Sequence, residues 1–138
     1  MEGKFRLAEE AETQDLGNGM LRWMCHPAST GARQLTVVEG TFPPAWGHSF
    51  HQHPEQEEMI YIVSGKVEQW VDQECRILGP GDAAFMPAGM VHASFNVGDG
   101  EARLLAIFGP CVGAGFDTID MAGEAPWNAL RVAEPVAG

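Results

Sequence analysis

Basic residues are scarce in this chain. Eight Lys and Arg stand against nineteen Asp and Glu, for a formal charge of −11. A surface that negative repels phosphate backbones and anionic headgroups, which speaks against nucleic acid or a membrane surface as partner. No stretch approaches the roughly 18 apolar residues of a membrane span. The acidic opening MEGKFRLAEEAETQDLG has neither the apolar run nor the basic amphipathic pattern of a targeting segment. Cysteine is sparse too: Cys25, Cys75 and Cys111 are odd in number, far apart and form no CxxC pair. That pattern argues against a disulfide framework and predicts reduced thiols in a cytoplasm, each serving as a small core hydrophobe. There is no internal repeat, no dividing linker and no helix–turn–helix segment, so a single domain is expected over residues 1–138.

Turn formers, by contrast, are plentiful. Seventeen Gly and nine Pro in 138 residues are too many for a helical bundle, and they are spread along the chain rather than gathered in a low-complexity tract. Between them lie short alternating or apolar runs that predict strands at 20–25, 33–39, 59–63, 66–71, 74–78, 83–86, 92–97 and 102–108. Asp72-Gln73 reads as a two-residue hairpin loop, and Gly79-Pro80-Gly81-Asp82 as a turn. Residues 40–57 read as irregular, because Pro43, Pro44 and Gly47 oppose a long regular element. About eight short strands predict an all-β sandwich or barrel with its core at about 20–110, a loosely held N-terminus and a tail over 109–138 packed on the barrel.

Four of the five histidines fall in two places. His48, His51 and His53 are close together, and His92 follows a Pro/Gly turn far along the chain. Residues two apart on a strand point the same way, so His51 and His53 can aim two imidazoles at one point. Glu55, Glu57 and Glu58 stand ready to add an oxygen ligand. Unbroken parity from His51 would select Glu57, but Pro54 makes an unbroken strand doubtful and a reset register would select Glu58.

The spacing carries more than the cluster does. HQHPEQEEMIYIVSG holds His51-x-His53, four residues, Glu58, six residues and Gly65. GDAAFMPAGMVHASFN holds Gly81, five residues, Pro87-x-Gly89, two residues, His92, three residues and Asn96. Together these strings resemble the two paired motifs of the cupin superfamily, and the six-residue step to Gly65 favours Glu58 over Glu57. One departure stands out: the first motif's opening glycine, here Gly47, lies closer to the first histidine than the family pattern has it.

The resemblance implies a double-stranded β-helix of jelly-roll type. It implies a divalent transition metal, Fe2+ before Mn2+, Ni2+, Zn2+, Co2+ or Cu2+, held by His51, His53, Glu58 and His92. Gly65 and Gly81 then serve as turn residues, while Pro87 and Gly89 shape the loop presenting His92. Such a ligand set leaves two positions open on an octahedral ion, where a chelating diketone, flavonol or similar small molecule could bind. The implied function is a dioxygenase-like oxidoreductase, with Glu58 staying a ligand or moving off as a base. The alternatives are a non-oxidative isomerase, lyase or cyclase, or a non-catalytic binder. A homodimer is a further implication of the family.

The other candidates read as structural. His48 is expected in a loop, and His26 is adjacent to Cys25 without forming a nucleophile pair. Ser94 and Asn96 share the parity of His92 and could reach the cavity. Trp46, Phe50, Phe85, Met86 and Met90 flank the motifs as candidate pocket walls, and Phe116, Ile119, Met121 and Trp127 of the tail could pack on a sheet or cap a pocket, packing being the expectation.

Overall fold

Alternation between apolar and polar residues, broken every few residues by Gly or Pro, builds strands that each bury one face. The computed structural model describes residues 2–131. Its strands are β1 (Glu12–Asp15), β2 (Met20–Cys25), β3 (Thr36–Phe42), β4 (Gly47–Gln52), β5 (Glu57–Ser64), β6 (Val67–Val71), β7 (Glu74–Leu78), β8 (Ala83–Met86), β9 (His92–Asn96), β10 (Ala102–Gly109) and β11 (Ile119–Asp120). Two short helices complete it, α1 (Pro27–Thr30) and α2 (Trp127–Leu130). One sheet has the order β1-β2-β3-β10-β5-β8 and the other β11-β4-β9-β6-β7, with antiparallel pairing throughout. The two sheets form the double-stranded β-helix that the paired motifs imply.

The core lies between them. Along β10, Ala102, Leu104, Ala106 and Phe108 point inward and alternate with half-buried residues. Thr36, Val38 and Phe42 do the same on β3, and Ile60 and Ile62 on β5. Each large apolar side chain buried this way stabilises the fold by roughly 1.5–3 kcal/mol. The outer face of the five-stranded sheet carries a second cluster, Phe50, Val91 and Ala93, covered by Met121, Ala122, Trp127 and Leu130. Arg131 fastens this cover: its Nε donates to Glu68 Oε2 at 2.6 Å and its guanidinium lies 3.9 Å from the centre of the Phe95 ring.

Three strands escape the sequence pattern. β1, ETQD, is exposed along its whole length, so it has no apolar face to announce it. β11 has only two residues. β4 falls in the stretch expected to be irregular, and β3 runs on to Phe42 within that stretch. The prolines occupy only the turn between them. β4 is hidden from the pattern because its cavity-facing positions, His48 and His51, carry imidazoles in place of Val or Ile. Gly47 is required by contact: a Cβ there would collide with the Ser94 carbonyl on β9. The displaced motif glycine is thus where β4 crowds its neighbour.

A candidate metal centre

β4 pairs with β9 through His48↔Ser94 and His51↔His92, so three steps on one strand match two on the other. That extra residue is a β-bulge. It overturns simple parity: His48 and His51 now face the same cavity and stack with ring centres 3.9 Å apart, while Phe50 turns to the outer cluster. His48 therefore sits on a strand rather than in a loop, and it is solvent-exposed at the cavity's edge. His51 and His92 become cross-strand neighbours, with ring centres 4.2 Å apart.

His53 follows β4 in the turn containing Pro54. Its carbonyl accepts from Gly89 N–H at 2.9 Å, which ties the loop presenting His92 to the loop presenting His53. Gly89 meets this bond with φ +80°, a conformation that side chains other than glycine rarely take. Pro54 resets the register as the parity argument allowed. Glu58 is buried with Ile60 and Ile62, whereas Glu57, Met59 and Tyr61 are exposed.

His51, His53, Glu58 and His92 are all buried, and one ligand atom from each lies within 4.8 Å of the others. Their protonation is dictated by main-chain oxygens. Nδ1 of His51 meets Ser49 O at 2.6 Å, Nδ1 of His53 meets Asp117 O at 2.6 Å, and Nδ1 of His92 meets Met90 O at 3.0 Å. A carbonyl can only accept, so each Nδ1 carries hydrogen and each neutral ring turns a bare Nε2 lone pair inward. Glu58 Oε1 lies 2.7 Å from His92 Nε2 and 3.1 Å from His53 Nε2. All three of those atoms are buried without a hydrogen-bond partner. Acceptors facing acceptors in a dry interior are costly unless a metal ion or a shared proton lies between them. Three imidazole nitrogens and one carboxylate oxygen suit a divalent transition metal.

The electrostatics agree. Burial alone would raise the Glu58 pKa, but His53 and His92 outweigh it and bring the carboxyl down to about 2. Burial opposes a charged His92, yet its contacts with Glu58 and Met90 O prevail and raise its pKa above 6.5. Burial, with His48 and His92 close by, holds His51 well below that value. His48 shifts down as well, by desolvation on its inner face.

The cavity lined by His51, His53 and Glu58 is small, with about 40 Å³ of free space, and mostly apolar. Its walls come from Leu21, Val38, Phe42, Ile60, Leu104 and Phe108, together with Phe116 from the C-terminal segment. None of the five expected wall residues contributes. Trp46 and Phe85 are exposed, Phe50 belongs to the outer cluster, and Met86 and Met90 pack in the core. Ser94 does line the cavity and donates to Gln69 Oε1 at 2.6 Å. Asn96 instead braces a turn through Phe42 O, Gly100 O and Gly98 N. His26 serves the first turn of α1, bonded to Ser29 and 3.4 Å from Glu12.

Phe116 stacks on Phe108 at 4.5 Å and forms a cavity wall, the pocket-capping role that the tail's apolar residues allowed beside packing. One feature of the site was not foreseen: Asp117 offers its carbonyl to His53. Nothing in the sequence marks a main-chain acceptor, because every residue carries one.

A small antiparallel barrel with three imidazoles and a carboxylate converging inside it defines the class of metal-binding β-barrel proteins. The family described as Cupin domain matches residues 38–108, and the chain belongs to it. Among curated proteins it is 32% identical over 102 residues to the polyketide synthase CurC of Streptomyces cyaneus, covering 74% of this chain and 66% of that protein. It thus spans about two thirds of that relative's length. KdgF from a Halomonas species has the same fold, with a TM-score of 0.72 at 24% identity over 80% of this chain and 96% of the other. Bacillus subtilis oxalate decarboxylase, described with Mn(II) centres, gives 0.71 at 22% identity, covering 83% of this chain and 31% of that one.

Proposed function

We propose that this protein is a metal-dependent enzyme that binds a small chelating substrate, a 1,3-dicarbonyl or similar molecule, as its enolate and oxygenates it. One observation carries the reading: inward-facing acceptors with no partner lie at the base of a mostly apolar cavity. A divalent metal bound there would act as a Lewis acid toward two substrate oxygens and, as iron, would give access to dioxygen chemistry. Glu58, held as a carboxylate, is a weak base and suits the ligand role. The imidazole of His48 lines the cavity outside the ligand cluster and can take the proton from the carbon between two carbonyls at a ring nitrogen. Val38, Ile60, Leu104 and Phe108 keep water from the reacting carbon. The name of the relative CurC supports the substrate class, since polyketide chains carry repeated 1,3-dicarbonyl units.

A non-oxidative reading shares the first step. His48 can form the enolate without dioxygen, and one structural neighbour is named a decarboxylase. The deciding experiment follows oxygen uptake and product formation with Fe(II)-, Mn(II)- or Ni(II)-loaded protein and a panel of 1,3-diketones and flavonols. Uptake in step with substrate loss, absent in His92→Ala, supports oxygenation. Turnover under argon selects the non-oxidative branch, and no turnover with any substrate under either atmosphere overturns the enzyme reading.

A further inference from the structure

Resting on the reading that the four convergent side chains bind a metal, we infer that Gln56 is a positioning residue for His53, acting through a strap formed by residues 110–117. Gln56 stands between Glu55 and Glu57 in an acidic run, yet it is only 1% exposed. Its side chain makes three hydrogen bonds, all to one short segment. Nε2 donates to Pro110 O at 2.7 Å and to Gly115 O at 3.0 Å, and Oε1 accepts from Asp117 N–H at 3.0 Å. The same Asp117 presents its carbonyl to His53 Nδ1 at 2.6 Å. The path from Gln56 to His53 is therefore one residue long: its amide oxygen fixes the N–H of Asp117, and the carbonyl of Asp117 fixes the ring.

The three imidazoles are not held alike. His51 and His92 bond to carbonyls two residues before them in their own chain segments, Ser49 and Met90. His53 alone takes its partner from a distant part of the chain, 64 residues away. Its orientation and tautomer depend on the strap being in place, and the strap is clasped by Gln56. Thr36 Oγ1 adds a second donor to Gly115 O at 2.9 Å, and Phe116 stacks between Phe108 and Trp23. With these supports the strap can stay near the barrel when Gln56 is replaced, while the Asp117 carbonyl loses its fixed aim.

The test uses the zinc-loaded full chain with 15N-labelled histidine, comparing wild type with Gln56→Met. Long-range 1H–15N spectra report the tautomer and Nδ1–H signal of each ring, and chelator competition reports the zinc Kd. In Gln56→Met the His53 signal should shift or broaden while those of His51 and His92 stay. Zinc affinity should fall about 10- to 100-fold, the usual cost of losing an orienting partner. Gln56→Glu keeps an oxygen for Asp117 N–H but turns its second oxygen on the carbonyls of Pro110 and Gly115, so it too should disturb the His53 signal while those of His51 and His92 stay; it serves if the Met variant does not fold. An unmoved His53 signal with unchanged affinity in Gln56→Met, or in a folded Gln56→Glu protein, overturns the inference. Failure of wild type to bind zinc would instead defeat the underlying metal reading.

Discussion

At the scale of single residues, the four convergent side chains of the candidate site could be read from the sequence because their spacing is chemical information. His51-x-His53 and the later His92 are rare side chains at fixed separations. Glu58 could be told from Glu57 only by its distance to Gly65 and by the break at Pro54. The structure buries Glu58 at 4% exposure and leaves Glu57 outside. Glu58→Gln should therefore weaken metal binding at least about a hundredfold, by removing the one anionic ligand. Glu57→Gln should leave it unchanged, and chelator competition on both variants checks the pair. Protonation supplies a second prediction. His92 is raised and His51 is held well below its usual value, so a proton held by the metal-free site sits on His92 rather than on His51. Metal must displace that proton. Affinity should therefore rise with pH through the range where His92 titrates, and binding within that range should release protons. Titration calorimetry in two buffers of different ionisation enthalpy measures the release, and identical apparent enthalpies would contradict it.

Among the elements, β4 was the hardest to see and matters most. Its bulge places Ser49 as the extra residue between the paired positions His48 and His51, leaving the Ser49 carbonyl free to meet His51 Nδ1 at 2.6 Å. A regular strand would give that oxygen to the ladder. Deleting Ser49 should keep the pairing with β9 and keep His51 opposite His92, but remove the oxygen that orients the ring. Metal affinity should drop about 10- to 100-fold with a near-normal far-UV spectrum; unchanged affinity would show that the bulge does nothing for the site. No periodicity could forecast this bulge, since it reverses the parity on which such forecasts depend. β2, β7 and β8 were legible to the residue for the opposite reason: regular pattern, clear turns at both ends.

On the scale of the whole molecule, the two sheets are finished differently. The outer face of the five-stranded sheet is covered by Met121, Trp127 and Leu130. On the outer face of the six-stranded sheet, Met59, Tyr61 and Phe85 stand at 38%, 41% and 47% exposure among the described residues. A homodimer, which the family resemblance implies, would bury this face against its own copy. Light scattering should then give a dimer for wild type and a monomer for Phe85→Arg with zinc binding intact; a monomeric wild type would dismiss the idea. The cavity walls were the least legible feature at this scale. They are set by how two twisted sheets and a returning segment meet, and residues adjacent to the motifs in sequence are carried elsewhere.

The pairing of every ligand ring with a peptide oxygen has a consequence for how such a site can vary. A peptide oxygen is the same whichever side chain stands beside it, so positions 49, 90 and 117 are free to change identity without disturbing ring geometry. Ser49→Ala, Met90→Leu and Asp117→Asn should each bind metal as wild type does. What must be inherited at those places is the route of the chain, and a comparison restricted to letters would overlook it.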